Sequence, residues 1–142
     1  MRDVAYIALG SNLGDRARHL ARARASLAAL PSSRVIAASS IEETEPLGGL
    51  DQPRYLNQMV ALETALTPHE LLTRLQEIET REGRTREERW ASRTLDLDIV
   101  CFDQQSVSER GLHVPHPGLE SREFWQRELE ELRGTKTREA PR

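Results

Sequence analysis

At 142 residues the chain is the size of one domain, large enough to bury well over half of the surface that its unfolded form exposes. A formal net charge of -3 excludes a generally basic surface for nucleic acid, so any anionic ligand has to be held by local positive charge. The single cysteine, Cys101, excludes a disulfide framework, and the N-terminal apolar run is too short for a signal peptide or a membrane span, which together predict a cytoplasmic protein.

Residues 4–9 are apolar throughout, the pattern of a buried strand. The two glycines of Gly10-Ser11-Asn12-Leu13-Gly14 then mark a tight turn into a helix capped by Asp15. This is not a phosphate loop, because GxxxxGK followed by Ser or Thr occurs nowhere. Over residues 16–30, Leu20, Ala23, Leu27 and Leu30 recur at helical spacing. Arg16, Arg18, Arg22 and Arg24 fall outside that stripe as a solvated face, and Pro31 stops the helix. Residues 34–40 are β-prone at Val35 and Ile36. The Pro- and Gly-rich stretch from Thr44 to Pro53 reads as a loop at the edge of the scaffold, where function often resides. Residues 55–66, alternating at Tyr55, Met59 and Ala61, predict a further strand. Thr67 caps a second helix with Pro68 at its first position, Leu71, Leu72, Leu75 and Ile78 as its buried stripe, and Gly83 at its end.

Arg81, Arg84, Arg86, Arg89 and Arg93 follow, interleaved with Glu82, Glu87, Glu88 and Trp90. With no apolar period, this stretch predicts a mobile loop. It runs directly into Thr94-Leu95-Asp96-Leu97-Asp98-Ile99, whose strict alternation is that of a strand. Leu95, Leu97 and Ile99 point one way, and Asp96 and Asp98 the other, with Cβ atoms roughly 7 Å apart. Two carboxylates aimed at one volume repel unless water screens them or a cation lies between them. Both readings, a solvated strand face and a pair of hard ligands for Mg²⁺, stay open at this point. The arginines just upstream add the other half of what phosphoryl transfer needs, neutralisation of phosphate oxygens. Beyond a turn at Asp103 and a short arm near Val107, His113 and His116 stand among prolines, which argues against a zinc site. Residues 120–132 carry Trp125, Leu129 and Leu132 at helical spacing. One catalytic domain is expected over residues 1–133, followed over 134–142 by a polar tail whose composition predicts disorder.

Taken in order, Ala8-Leu9-Gly10-Ser11-Asn12-Leu13-Gly14, Thr44-Glu45-Pro46-Leu47-Gly48, Tyr55-Leu56-Asn57, Gly83-Arg84, Arg93 through Ile99, and Val114-Pro115-His116-Pro117 resemble the 6-hydroxymethyl-7,8-dihydropterin pyrophosphokinases of folate biosynthesis. The resemblance implies a ferredoxin-like α+β sandwich, a mainly antiparallel sheet with helices packed on it. It also implies transfer of diphosphate from ATP to the hydroxymethyl oxygen of the dihydropterin, leaving AMP. Asp96 and Asp98 match the ligands of two Mg²⁺ ions. Arg84 and Arg86 match arginines of a loop that closes over ATP, and Arg93 matches a further phosphate contact. Gln76, Glu79, Ile99, His116 and Arg122 match positions lining the ATP site. Tyr55 and Phe124 match the rings between which the pterin stacks, and Thr44, Pro46, Leu47 and Asn57 match residues that read its polar edge. No nucleic-acid or membrane partner is implied, and the chain is expected to be a monomer. After Phe124 the sequence departs from the family pattern: an amphipathic helix replaces an apolar strand and a Pro-Leu segment. Three competitors follow: a catalytically weak relative that binds ATP or pterin, an RNA-binding module using the arginines, and a different two-metal phosphotransferase or nuclease. Aromatics at 4% of residues leave the RNA module without a stacking platform.

Overall fold

The computed structural model describes residues 2–46, 53–83 and 94–139. The elements run β1 (Asp3–Ser11), α1 (Arg16–Ala28), β2 (Ser33–Ala38), β3 (Glu42–Thr44), β4 (Tyr55–Thr64), α2 (Pro68–Arg81), β5 (Asp96–Phe102), β6 (Val107–Glu109), β7 (Leu112–Val114), a 3-10 turn (Pro117–Glu120) and α3 (Glu123–Glu139). The main sheet is antiparallel in the order β2-β4-β1-β5, and β3 continues the β2 edge by pairing with the start of β4. β6 and β7 form a separate hairpin. The architecture is α+β, as expected.

β1 and β4 lie inside the sheet because both of their faces are apolar and both are covered. Ile7, Leu9, Val60, Leu62, Leu97 and Ile99 meet Leu20, Ala23 and Leu27 of α1 and Leu71, Leu75 and Ile78 of α2 on one side. Tyr6, Ala8, Met59, Ala61 and Val100 meet Trp125, Leu129 and Leu132 of α3 on the other. Burial on both sides overrides the simple alternation expected for β4, since Asn57 through Leu62 are all buried. At roughly 25 cal/mol per Å² of apolar surface removed from water, these two clusters are the main favourable contribution to the fold.

The helix starts match their sequence signals. The Asp15 carboxylate accepts from Arg18 N–H at 3.1 Å. Thr67 and Glu70 form a reciprocal capping box, and Gly83 leaves α2 with φ +89°. Three details differ from expectation. β3 is a short strand between the β-prone stretch ending at residue 40 and the loop expected from Thr44, because Glu42, Glu43 and Thr44 find ladder partners in Asn57, Leu56 and Tyr55. The arginines of α1 are not merely solvated: Arg16 donates to Glu43 and to the Arg54 carbonyl, Arg22 to Glu82, and Arg24 to Gln58. Finally, α3 begins at Glu123 after a separate 3-10 turn and carries helical backbone to Glu139, past the expected boundary at 134. No proline interrupts it before that point, and one glycine costs a helix only about 1 kcal/mol. Among the described residues no helix is long and apolar enough to cross a membrane.

Candidate active site

The register of the sheet assembles the site. Residues paired across an antiparallel ladder share a face. Glu42 pairs with Asn57, Asn57 with Gly10, and Gly10 with Asp96, so one row crosses four strands on the face that α3 covers only in part. The next row joins Met59, Ala8 and Asp98, and Thr44 pairs with Tyr55 beyond the first. Thr44, Tyr55, Asn57, Asp96 and Asp98 therefore share one surface. Leu95, Leu97 and Ile99 turn the other way, into the core beneath α1 and α2. The two-residue period separates the carboxylates from core groups along a single strand.

Local contacts fix these side chains. Asn57 Nδ2 donates to Thr44 Oγ1 at 2.5 Å, which ties β4 to β3 and leaves the amide oxygen facing Gly10. Tyr55 hydroxyl lies 3.5 Å from Asp96 Oδ2. Gly10 has a role that its reading as a turn residue missed: a Cβ there would stand 3.3 Å from Asn57 Oδ1 and 3.4 Å from Tyr55 Cδ1. The absence of a side chain lets the tyrosine and the amide settle onto the sheet. The available signal was a glycine at the end of an apolar strand, which often marks close approach of other groups.

His116 enters from the segment after β7, where its N–H donates to the Val100 carbonyl at 2.7 Å. Its Nδ1 accepts from Gly118 N–H at 2.9 Å, so the ring proton is assigned to Nε2, which stands 3.7 Å from Asp98 Oδ1. Burial, and then the Arg122 guanidinium, hold His116 below the ordinary histidine range, so the ring is neutral near pH 7. Arg122 and Phe124 sit at the entry to α3, grouped around Trp125.

Other expected positions stand further out. Ile99 is 4% exposed with its side chain in the core, so what it can offer a ligand is main chain at the end strand of the sheet. Glu79 is buried, and its Oε2 accepts from Leu97 N–H at 2.8 Å, clasping α2 to β5. Gln76 is exposed on α2 and lines a shallow groove of about 320 Å³ with Thr73, Glu77 and Thr80. Pro46 is half-buried just after β3. Leu47, Arg84, Arg86 and Arg93 lie outside the described residues.

Asp96 and Asp98 suit a hard divalent cation: both donors are carboxylate oxygens, they share a face, and Asp98 keeps 40% of its side chain open to solvent. No group of three or more His, Cys, Asp or Glu converges on a metal among the described residues. That donor count fits an ion that completes its shell with water and phosphate better than one caged by protein.

Comparison with known proteins identifies the family. The family model described as 7,8-dihydro-6-hydroxymethylpterin-pyrophosphokinase (HPPK) matches residues 6–134. The chain is 48% identical over 124 residues to the 2-amino-4-hydroxy-6-hydroxymethyldihydropteridine pyrophosphokinase of Bacillus subtilis, covering 87% of this chain and 74% of that one. It is 44% identical over 119 residues to the enzyme of the same name from Pseudomonas aeruginosa, covering 84% and 74%. For the Pseudomonas putida enzyme the figures are 45% over 112 residues, covering 79% and 92%. The fold also matches a crystal structure of HPPK-DHPS in complex with substrates, with a TM-score of 0.65 and 14% identity, covering 88% of this chain and 39% of that one. With the motif residues on one face of the expected sheet and these relatives matching most of its length, the chain belongs to the 7,8-dihydro-6-hydroxymethylpterin pyrophosphokinase family, ATP-dependent transferases of folate biosynthesis.

Proposed function

We propose that this chain binds ATP and 6-hydroxymethyl-7,8-dihydropterin over the face carrying Asp96 and Asp98 and transfers diphosphate between them. The pterin hydroxymethyl oxygen forms a bond to the β-phosphorus and its proton passes to solvent, while the bond from that phosphorus to the α-phosphate bridge breaks and AMP leaves. The observation that carries this reading is the shared face of the two aspartates with Tyr55, Asn57 and Thr44, because two carboxylates able to hold a cation then stand beside an aromatic ring and polar side chains. Asp96 and Asp98 would hold two Mg²⁺ ions, which when bound neutralise phosphate oxygens and favour in-line attack.

The protein's own residues divide the remaining work. Tyr55 and Phe124 hold the pterin ring by stacking. Thr44, Pro46, Leu47 and Asn57 read its polar edge, where an unpaired buried donor would cost about 1–3 kcal/mol. His116, Arg122, Gln76, Glu79 and the main chain at Ile99 accommodate the nucleotide. Arg84, Arg86 and Arg93 bring guanidinium forks to the phosphates, whose developing charge they stabilise. The catalytic unit is residues 1–133 of a single chain, acting as a monomer in the cytoplasm.

The test is steady-state AMP formation from ATP with and without the dihydropterin, titrated with Mg²⁺. AMP that requires both pterin and Mg²⁺ is expected. Pterin-independent AMP, or none at saturating Mg²⁺, sinks the proposal.

A further inference from the structure

The first turn of α3 carries a buried aromatic residue for which the reaction outlined above has no use. Trp125 is 3% exposed and packs in the cluster with Tyr6, Ala8 and Val100, so its indole is fixed by the core. On one side it meets the His116 ring edge-on, with centroids 4.9 Å apart and planes at 88°. Over the indole stands the Arg122 guanidinium, its carbon 4.3 Å from the ring centroid. Phe124, next in the chain, meets the indole at the longer distance of 6.2 Å.

Each of the two closer partners has freedom that the indole removes. The Gly118 amide holds one nitrogen of His116, and the indole supplies a second constraint on the ring, leaving Nε2 directed toward Asp98. Arg122 has a long flexible stem, and a guanidinium lying on an aromatic face keeps its N–H edges free for an anion while its plane is set. We infer that Trp125 is a positioning residue for the nucleotide: it orients His116 and Arg122 together, so that ATP meets both groups already in place. The inference rests on the pyrophosphokinase reading for the identity of the ligand.

The experiment compares the full-length wild-type chain with Trp125→Leu and Trp125→Phe. The leucine variant is expected to raise KM for ATP about tenfold, with KM for the pterin within about twofold and kcat within about threefold. The phenylalanine variant, which restores an aromatic ring, is expected to recover most of that loss. In the ligand-free proteins, the His116 ring signals in side-chain NMR are expected to move in the leucine variant, while those of His19, His69 and His113 stay put. Equal rises in both KM values, or His116 signals that do not move, overturn the inference. Should the leucine variant not fold, the phenylalanine variant carries the same comparison: a two- to threefold rise, roughly, in KM for ATP alone supports it, and equal shifts overturn it. A wild-type chain that makes no pterin-dependent AMP refutes the pyrophosphokinase reading alone, because equilibrium binding of ATP to the same three proteins still decides whether Trp125 positions the nucleotide contacts: weaker binding in the leucine variant supports it, and equal binding overturns it.

Discussion

Leu97 and Asp98 are neighbours in the chain and sit on opposite faces of β5, in surroundings that have almost nothing in common. The Leu97 face is closed by α1 and α2 over a continuous apolar layer. The Asp98 face is closed by α3 over only part of its area. Beyond the α3 contact, among the described residues, stand two carboxylates, a tyrosine, an asparagine and a threonine on adjacent strands. One face supplies stability and the other supplies a polar surface held rigid by it. Such a division explains how charged groups that repel one another can be kept together: the opposite sides of the same strands stabilise the arrangement.

The sharpest way to break this comparison is to alter the two neighbours separately. Asp98→Ala is expected to lower pterin-dependent AMP formation by about a thousandfold or more, with little change in thermal stability, because a half-exposed carboxylate carries little packing. Retention of most activity would remove Asp98 from the metal site. Leu97→Ala is expected to do the reverse, costing roughly 2–5 kcal/mol in urea unfolding while the folded fraction keeps most of its turnover. If both variants lose activity and stability alike, the two faces do not divide the work.

The α3 face also contains a group that resists its own docking. Glu128 is 2% exposed at a position of the helix that would suit a leucine, and among the described residues neither carboxylate oxygen is within hydrogen-bonding geometry of a partner. Burial, and then the neighbouring Glu42, push its carboxyl up to about 8. A folded chain that keeps a proton which the unfolded chain gives up loses stability as pH rises from the ordinary glutamate range toward 8. Glu128→Gln, whose amide can donate to Glu42, is expected to flatten that slope and to stabilise the protein by about 2–4 kcal/mol at pH 9. Parallel unfolding curves for the two proteins from pH 6 to 9 would show that the carboxyl is not held protonated.

Smaller effects sharpen the comparison within each face. Gly10→Ala puts a methyl group against Asn57 and Tyr55 and is expected to raise KM for the pterin about tenfold while leaving ATP binding nearly unchanged. An equal effect on both substrates would mean that Gly10 supports the sheet rather than the pterin surface. On the α1 and α2 side, Glu82 accepts from Arg22 and pairs with His19. Burial raises its carboxyl, but those two partners outweigh burial and hold it below the ordinary range. The pair's contribution is therefore present above the ordinary glutamate pKa and lost as pH falls through the lower folded value. Glu82→Gln is expected to cost about 1 kcal/mol at pH 7 and progressively less as pH falls below the ordinary glutamate range, read from melting temperatures.

Much of this was legible along the chain, for reasons that are local. Strand and helix periods, the Asp15 and Thr67 caps and the terminating Gly83 all depend on residues within a few positions of one another. The opposed faces of Leu97 and Asp98 likewise follow from the two-residue period alone. Family resemblance added expected roles for the site residues, and the sheet register sets Thr44, Tyr55, Asn57, Asp96 and Asp98 on one face.

What needed the tertiary structure was everything decided by registry between distant segments. The pairing of β3 with β4 made a strand of Glu42 to Thr44, a stretch with no strand signal of its own. Gly10 became a floor for the site only when Asn57 and Tyr55 were laid across it. The arginines of α1 found carboxylates and carbonyls many residues away, and Glu128 entered an apolar stripe whose other members are Trp125, Leu129 and Leu132. Sequence by itself determined which side of each element is apolar, because that is a property of consecutive residues and bond geometry. Tertiary structure decided which polar groups meet on the other side, because strand register is set by the packing of the whole sheet.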